Sequence, residues 1–161
     1  MLKILTMVGL VLMVSTSASN KMSGASDNFQ SVMPQQSILL QSGPEKESCS
    51  RCGMNLIMFY KTNHAAKLNG HQYQYCSLHC LTEHENSGAK LSEKKVVDVL
   101  TLKFIDINDA QYVVGSDIDG TMSRVSKYVF RHEKNAKIFQ SKFGGIIMDY
   151  NDAKKVSQQD F

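Results

Sequence analysis

Four cysteines constrain this chain more than any other feature, because all of them fall within one short segment. They form two pairs, Cys49-x-x-Cys52 and Cys76-x-x-x-Cys80, with 23 residues between the pairs. One pair placed in a turn and one in the first turn of a helix can converge on a single soft metal ion. The i,i+4 spacing places the sulfurs of Cys76 and Cys80 on one helical face. The segment therefore predicts a compact metal site.

Met54 adds a thioether sulfur two residues after Cys52. In an extended strand, residues i and i+2 point to the same side, so Cys52 and Met54 would offer two sulfurs to one ion. Thiolate plus thioether is the ligand set that selects Cu(I) over Zn(II). Two other interpretations of the cysteines stay open: a pair of structural disulfides, which are common in oxidising compartments, and a redox-active CxxC motif.

The N-terminus predicts the compartment. Lys3 precedes an uncharged apolar run over residues 4–14 and then small residues, a pattern typical of a secretory signal peptide cleaved after Ala18. The run is about half as long as a membrane-spanning helix requires. Residues 19–48 are rich in Ser and Gln and predict a mobile leader, in which the apolar residues 37–40 are candidates for an edge strand. We expect a secreted, soluble protein, periplasmic if bacterial, that meets a membrane only through partners or an uncleaved signal.

Charge and motifs exclude several classes of function. The 18 Lys+Arg and 15 Asp+Glu give a net charge of +3 without a basic cluster longer than two residues, so neither nucleic-acid nor polybasic membrane binding is expected. Residues 117–121 match the DxDGT signature of haloacid-dehalogenase phosphatases, but too little chain follows to supply the other catalytic groups. We interpret Asp117 and Asp119 as turn formers in a loop that presents Met122. No constellation is spaced for hydrolysis, and a non-enzymatic function is expected.

The folded part, about residues 49–161, predicts an α+β domain of two related small βα halves with antiparallel strands. The halves span about residues 49–92 and 93–153. Strands are expected at residues 55–60, 71–75, 97–107, 112–115, 125–130 and 146–150, with helices at 77–86 and 133–143. In the second helix a core-facing stripe is expected, formed by Ala136, Ile138, Phe139 and Phe143. Gly144-Gly145 fits a left-handed helix end.

Two groups of motifs carry a resemblance to known families. The CSRCGM sequence of residues 49–54, followed by Tyr75-Cys76-Ser77 and Cys80, resembles the TRASH/YHS heavy-metal motif. Over about residues 49–153 the chain is similar to the NosL family of copper proteins that accompany nitrous oxide reductase. The second half carries that family's Tyr-Val-Val-Gly-Ser loop at 112–116, a Gly-x-Met at 120–122, and Gly144-Gly145 before the last strand.

The resemblance implies a periplasmic Cu(I)-binding metallochaperone that delivers copper to nitrous oxide reductase in denitrification, through an ABC-type assembly complex. It implies Cys52 and Met54 as copper ligands, with Met122 as a candidate third sulfur. The additional Cys76/Cys80 pair predicts either a more sulfur-rich copper site or a separate zinc-like site. Two further classes share the cysteine pattern: a zinc- or disulfide-stabilised binding module, and an organomercurial-lyase-like enzyme.

Overall fold

Two small antiparallel sheets form the frame of the protein in the computed structural model, which describes residues 28–159. The signal peptide predicted for residues 1–18 lies outside the described residues. The first sheet has the strand order β2-β1-β3-β4 and the second has the order β6-β5-β7. The strands of the first sheet are β1 (His64–Leu68), β2 (His71–Tyr75), β3 (Ser92–Val97) and β4 (Phe104–Asp106), and those of the second are β5 (Gln111–Val114), β6 (Lys127–Phe130) and β7 (Ile146–Met148).

Three helices are described within residues 28–159: α1 (Leu78–Asn86), α2 (Glu133–Phe143) and α3 (Tyr150–Gln158). Helix α1 follows β2 directly, and α2 connects β6 to β7. Helix α3 packs on α1, where Glu85 forms ion pairs with Lys154 and Lys94. No described helix has the length and apolar character needed to cross a membrane.

The β1–β2 hairpin fixes the position of β2 at one edge of the first sheet. Its turn residues Asn69 and Gly70 have positive φ values of 52° and 81°, as a tight two-residue hairpin turn requires. The register pairs His64 with Tyr75 and Leu68 with His71. The predicted strand at 71–75 is therefore confirmed, and the outer edge of β2 is left open to the chain that precedes β1.

The prediction of a strand at residues 55–60 is wrong. Asn55 makes only an isolated bridge to Ser48, and the chain then turns towards Tyr60. The Asn55 side-chain oxygen accepts hydrogen bonds from the amides of Ile57 and Met58, at 2.9 and 3.0 Å. This local bonding offers the backbone an alternative to a strand ladder, so the apolar run Leu56–Tyr60 folds as a turn despite its strand-like composition.

The predicted strand at 97–107 is also wrong as one element, because a turn at residues 98–103 divides it into the end of β3 and β4. The Asp98 carboxylate forms the turn by accepting hydrogen bonds from Leu100 N and Thr101 Oγ1. The last strand stops at Met148, because the side chain of Asp149 caps an unpredicted helix, α3, by accepting from Asp152 N.

Helix α2 follows the predicted bounds, but one member of its predicted core stripe is misplaced. Ala136 and Phe139 are buried, whereas Ile138 is 59% exposed. Residues 136, 139 and 143 recur at helical spacing on one face, and position 138 lies two residues from 136, nearly on the opposite face. The helix ends at the predicted glycine pair, and both glycines have positive φ, at 72° and 92°, but the ψ of −161° at Gly144 is extended and not left-handed helical.

The segment that precedes Cys49 contacts the domain through polar groups. Gln30 is buried and donates to the carbonyl of Asp119 at 2.6 Å. Residues 37–40 form no strand, but the amide of Ile38 donates to the Tyr60 hydroxyl and that of Leu40 to the Gln74 side chain. The segment therefore borders the first sheet in the region of β2.

His64 joins the two sheets in the shared core. Its ring is fully buried, with Nδ1 at 3.0 Å from the carbonyl of Thr62 and Nε2 at 3.0 Å from the hydroxyl of Tyr112 on β5. Burial disfavours the charged ring and lowers the pKa of His64 to about 4.

This buried ring predicts a loss of stability in acid. A histidine in the unfolded chain titrates near pH ~6.5, so between that pH and about 4 the unfolded state binds more protons than the folded state. The free energy of unfolding is therefore expected to fall by up to about 3 kcal/mol as the pH drops through this window. Urea unfolding of the wild type and His64→Gln at neutral pH and at about pH 4.5 measures it.

The exposed His71 provides the matched control. His71→Gln should keep the wild-type pH dependence, and His64→Gln should flatten it. A His64→Gln variant that loses as much stability in acid as the wild type would contradict the assignment.

Candidate metal centre

The first cysteine pair lies in a tight turn, residues 49–53, which we call the CxxC turn. The amide of Cys49 donates to Met54 O at 2.8 Å, and the amide of Gly53 donates to Cys49 O at 3.0 Å. Gly53 has a φ of 75°, a left-handed conformation that costs a glycine little. This glycine lets the chain reverse immediately after Cys52.

The second pair lies where β2 becomes α1. Cys76 follows the last residue of β2, and Cys80 is the third residue of α1. Ser77 is the N-cap between them, and its side chain accepts a hydrogen bond from Cys80 N. The polar serine immediately before an apolar helix start is a sequence signal for this cap. The cap fixes the first helical turn, and with it the direction of the Cys80 side chain.

Hydrogen bonds to the outer edge of β2 bring the two pairs together. The amide of Ser50 donates to Gln74 O at 2.9 Å, and Gln74 N reaches both Ser50 Oγ and the side chain of Gln41. The CxxC turn thus occupies the edge of β2 two residues before Cys76. Nothing in the sequence marks Ser50, Gln74 and Gln41 as the residues that make this contact, because no local pattern identifies a contact between distant segments.

The result is one group of four sulfurs, which we call the thiol cluster: Cys49, Cys52, Cys76 and Cys80. All four ligand atoms lie within 4.8 Å of one another. Cys76 Sγ is 3.5 Å from Cys52 Sγ and 3.7 Å from Cys80 Sγ. A tetrahedral site with metal–sulfur bonds of about 2.3 Å has edges of about 3.8 Å, so these spacings suit a single ion.

All four cysteines are free thiols. Cys52 and Cys76 lie at 3.5 Å and Cys76 and Cys80 at 3.7 Å, both far beyond the length of about 2.05 Å of a disulfide bond. The structure also places Cys76 and Cys80 in the same group as Cys49 and Cys52. The geometry therefore offers one sulfur-rich site rather than two separate ones.

The cluster is buried except at one corner. Cys76 and Cys80 have no exposed surface and Cys49 is 4% exposed, whereas Cys52 is exposed. Hydrogen bonds from the Cys76 and Cys80 thiols, with those from the amides of Cys52 and Arg51, hold the pKa of the Cys49 thiol well below its usual range. The hydrogen bond to Cys49 raises the pKa of Cys76, and burial adds to that effect.

The hydrogen bonds from the Cys76 and Cys80 thiols therefore favour a thiolate at Cys49 when no metal is bound. A soft cation that binds replaces the protons of the thiols that ligate it, and these protons are released to solvent. Cys76 immediately precedes the N-cap of α1 and Cys80 lies in its first turn, where the positive end of the helix dipole favours thiolates. The site is therefore built to exchange protons for a metal ion.

Met54 lies beside the cluster in a different way from the one expected. The left-handed Gly53 interrupts the extended backbone between Cys52 and Met54. The prediction that these two side chains share one face of a strand is therefore wrong. Met54 is partly buried and packs against the core that contains Cys49, Cys76 and Cys80.

Met122 lies in the loop that connects β5 to β6, where it is 43% exposed and has a φ of 54°. Its neighbour Thr121 is buried, with Oγ1 at 2.8 Å from Thr62 Oγ1, and Thr62 Oγ1 is 2.8 Å from the carbonyl of Cys76. The loop is thereby fastened to the backbone of Cys76. No local sequence pattern marks Thr62 or Thr121 as part of this contact. The turn interpretation of Asp117 and Asp119 agrees with their place in this loop.

The family model that matches this chain is NosL, over residues 42–157. The chain belongs to the NosL family. The predicted family is therefore confirmed, and the cysteine cluster fits the heavy-metal motif that the sequence resembles.

A solved structure similar to this NosL-family member is the crystal structure of the copper chaperone NosL from Shewanella denitrificans. The two are 20% identical with a TM-score of 0.53, and the match covers 69% of this chain and 92% of that chain. The likeness confirms the expected α+β fold with antiparallel strands. No curated protein sequence matches this chain.

The glycine of the CxxC turn provides a test of this geometry. Gly53→Ala is expected to destabilise the fold by about 1 kcal/mol, because alanine is strained at positive φ. The relaxing turn moves Cys52, so the affinity of the cluster for Cu(I) or Zn(II) should fall about tenfold. Chelator competition measures the affinity, and urea unfolding of the metal-free protein measures the stability.

Gly43→Ala is the matched control, because Gly43 also has positive φ (94°) and open space around a new Cβ, but lies outside the CxxC turn. It should cost similar stability and leave metal affinity unchanged. Equal metal affinities in the two variants would contradict a role for Gly53 in placing Cys52.

Proposed function

We propose that this protein is a Cu(I)-binding metallochaperone that acts outside the cytoplasm and supplies copper for the assembly of nitrous oxide reductase or a related cuproenzyme. The observation that carries the proposal is the convergence of four thiols within 4.8 Å, with Cys52 exposed and the other three buried. Membership of the NosL family, and the copper chaperone named among similar structures, support it.

The chemistry of the ligands favours a soft ion. Thiolates and thioethers select Cu(I) and disfavour hard cations such as Mg²⁺ and Ca²⁺. The thiol cluster supplies the thiolates, while Met54, packed against the same core, and Met122, on the loop fastened to Cys76, are the thioethers proposed to complete the set. Cu(I) requires fewer ligands than the site offers, so the binding set can change during transfer without release of free ion.

The unequal burial of the four cysteines suggests the side of the site from which an acceptor approaches the copper. Cys49, Cys76 and Cys80 form a buried base that an acceptor cannot reach, whereas Cys52 presents its sulfur to solvent beside Arg51, which is held by Glu83 at 3.0 Å. A ligand of the acceptor attacks copper on the Cys52 side, and Cys52 leaves first. Exchange then proceeds one ligand at a time through a shared intermediate. The protein binds and passes on its cargo and catalyses no reaction.

The proposed acceptor is an ABC-type assembly complex for nitrous oxide reductase, reached in the periplasm after removal of the predicted signal peptide. The family supports this assignment, since NosL proteins accompany that reductase. The predicted signal segment supports the compartment. Any contact with the membrane is proposed to occur through the partner complex.

Cys52→Ser tests the copper site with the least disturbance of the fold. The variant is expected to weaken Cu(I) binding by at least about tenfold, because it removes one of the thiolate ligands. The free energy of unfolding of the metal-free protein should change by less than about 0.5 kcal/mol, since Cys52 is exposed. A competitive Cu(I) titration with a chromogenic chelator under reducing, anaerobic conditions measures the affinity. Full retention of affinity would contradict the proposal.

Met54→Ala tests the thioether ligand. Its Cu(I) affinity is expected to fall about tenfold while Zn(II) affinity stays unchanged, because a thioether binds Cu(I) and contributes little to a zinc thiolate site. Met58→Ala is the matched control, because Met58 is 48% exposed and lies four residues away. An equal loss for both metals would assign Met54 to packing around a shared structural site.

A second candidate function has its own support in the burial of three of the four cysteines. Structural zinc sites are closed and four-coordinate, and the spacings of the thiol cluster suit them. In that case the protein is a zinc-stabilised binding module without a transfer role. Elemental analysis and a thiol count of the protein as isolated separate the cases: stoichiometric zinc that Cu(I) does not displace supports the module, and no free thiols would indicate two disulfides.

A further inference from the structure

One pair within the thiol cluster combines contact with unequal access. Cys52 Sγ lies 3.5 Å from Cys76 Sγ. Cys52 is exposed, and Cys76 is completely buried. An exposed thiol backed by a buried second thiol is the arrangement in which one sulfur reacts with an external disulfide and the other resolves the product.

We propose that the metal-free protein undergoes thiol–disulfide exchange at Cys52, resolved by Cys76, and that this reaction closes the metal site. The proposal does not rest on the proposed function, because it concerns the free thiols and holds for whichever ion the site takes. The external reactant is a disulfide, either that of a small thiol such as glutathione or that of a dithiol oxidoreductase.

The reaction balances in two steps. The Cys52 thiolate attacks one sulfur of the external disulfide, which forms a mixed disulfide and releases one thiol of the reagent. The Cys76 thiol then gives up its proton as its sulfur attacks Cys52, and the second thiolate of the reagent leaves and takes up that proton as the Cys52–Cys76 disulfide forms. Two protein thiols are oxidised, the external disulfide is reduced to two thiols, and the two protons end on those products.

Contact and exposure together favour this pair. Closing Cys52 onto Cys76 shortens the sulfur separation from 3.5 Å to about 2.05 Å, and Cys52 lies in a turn followed by the left-handed Gly53. Cys76 and Cys80 are only slightly farther apart, at 3.7 Å, but both are buried, so an external disulfide cannot reach them first. The exposed turn is the part that moves, and the capped helix start stays in place.

The consequence is a redox condition on metal loading. The disulfide removes two of the four sulfurs, including the exposed one, so the oxidised protein has no route for metal entry. A dithiol reductant must act before an ion is loaded. A bound ion in turn occupies Cys52 and Cys76 and protects them from exchange.

The test exposes the metal-free, fully reduced full chain to oxidised glutathione, traps free thiols by alkylation in acid, and maps disulfides by peptide mass spectrometry. We expect a Cys52–Cys76 disulfide, with Cys49 and Cys80 alkylated, and its complete reversal by dithiothreitol. Cys76→Ser should stop at the glutathione adduct of Cys52, and Cys52→Ser should form neither adduct nor internal disulfide. Zn(II) bound beforehand should slow the exchange strongly.

Because the mapping uses the wild-type protein, it does not depend on the folding of any variant. Four alkylated thiols after treatment, a disulfide mapped to Cys49–Cys52 or Cys76–Cys80, or unchanged oxidation of Cys52→Ser would each overturn the proposal. Oxidation at the same rate with Zn(II) bound would overturn the protective role of the ion. A protein that binds Cu(I) tightly yet stays reduced overturns this inference and leaves the proposed function standing.

Discussion

The hydrogen bonds between the CxxC turn and the outer edge of β2 are the contact on which the metal centre depends. Ser50 and Gln74 pair through their backbones at 2.9 Å, and Gln41 from the preceding segment bonds to both Ser50 and Gln74. Gln74 is itself fully buried and bonded to Asn63. A fully satisfied polar network of this kind is rigid, because any displacement leaves a buried group without its partner. It therefore fixes two cysteine pairs, 23 residues apart in sequence, within one site.

The two halves of the fold meet at the same place. Thr62 lies next to the carbonyl of Cys76 and to Thr121 of the second half, while His64 bonds to Tyr112 across the sheets. The loop that carries Met122 is thus coupled to the thiol cluster through buried side chains of the first sheet. The second half serves as more than a support for the core, since it brings a further sulfur-bearing loop to the side of the site where Cys76 lies.

Burial divides the thiol cluster into parts with different chemistry. Protein contacts hold the three buried cysteines in place: the end of β2, the cap of α1 and the amides of the CxxC turn. Cys52 shares their short distances but remains exposed. The same asymmetry underlies the proposed ligand exchange with an acceptor when a metal is bound and the proposed disulfide exchange when it is not. Both follow from one property, the accessibility of a single sulfur in an otherwise closed group.

Local signals in the sequence determined much of this protein. Four of these signals act over only a few residues, so they can be recognised from the sequence alone: the cysteine spacing, the serine cap before α1, the Asn69-Gly70 turn and the Gly144-Gly145 helix end. Tertiary structure decided what depends on distant partners. The union of both cysteine pairs was settled by hydrogen bonds between segments more than 20 residues apart, Ser50 with Gln74 and Gln41 with Gln74, which no local pattern encodes. The residue types therefore determine the chemistry of the metal site. Its geometry, by contrast, depends on the CxxC turn packing along the edge of β2, and so does the exposure of Cys52 alone among the four thiols.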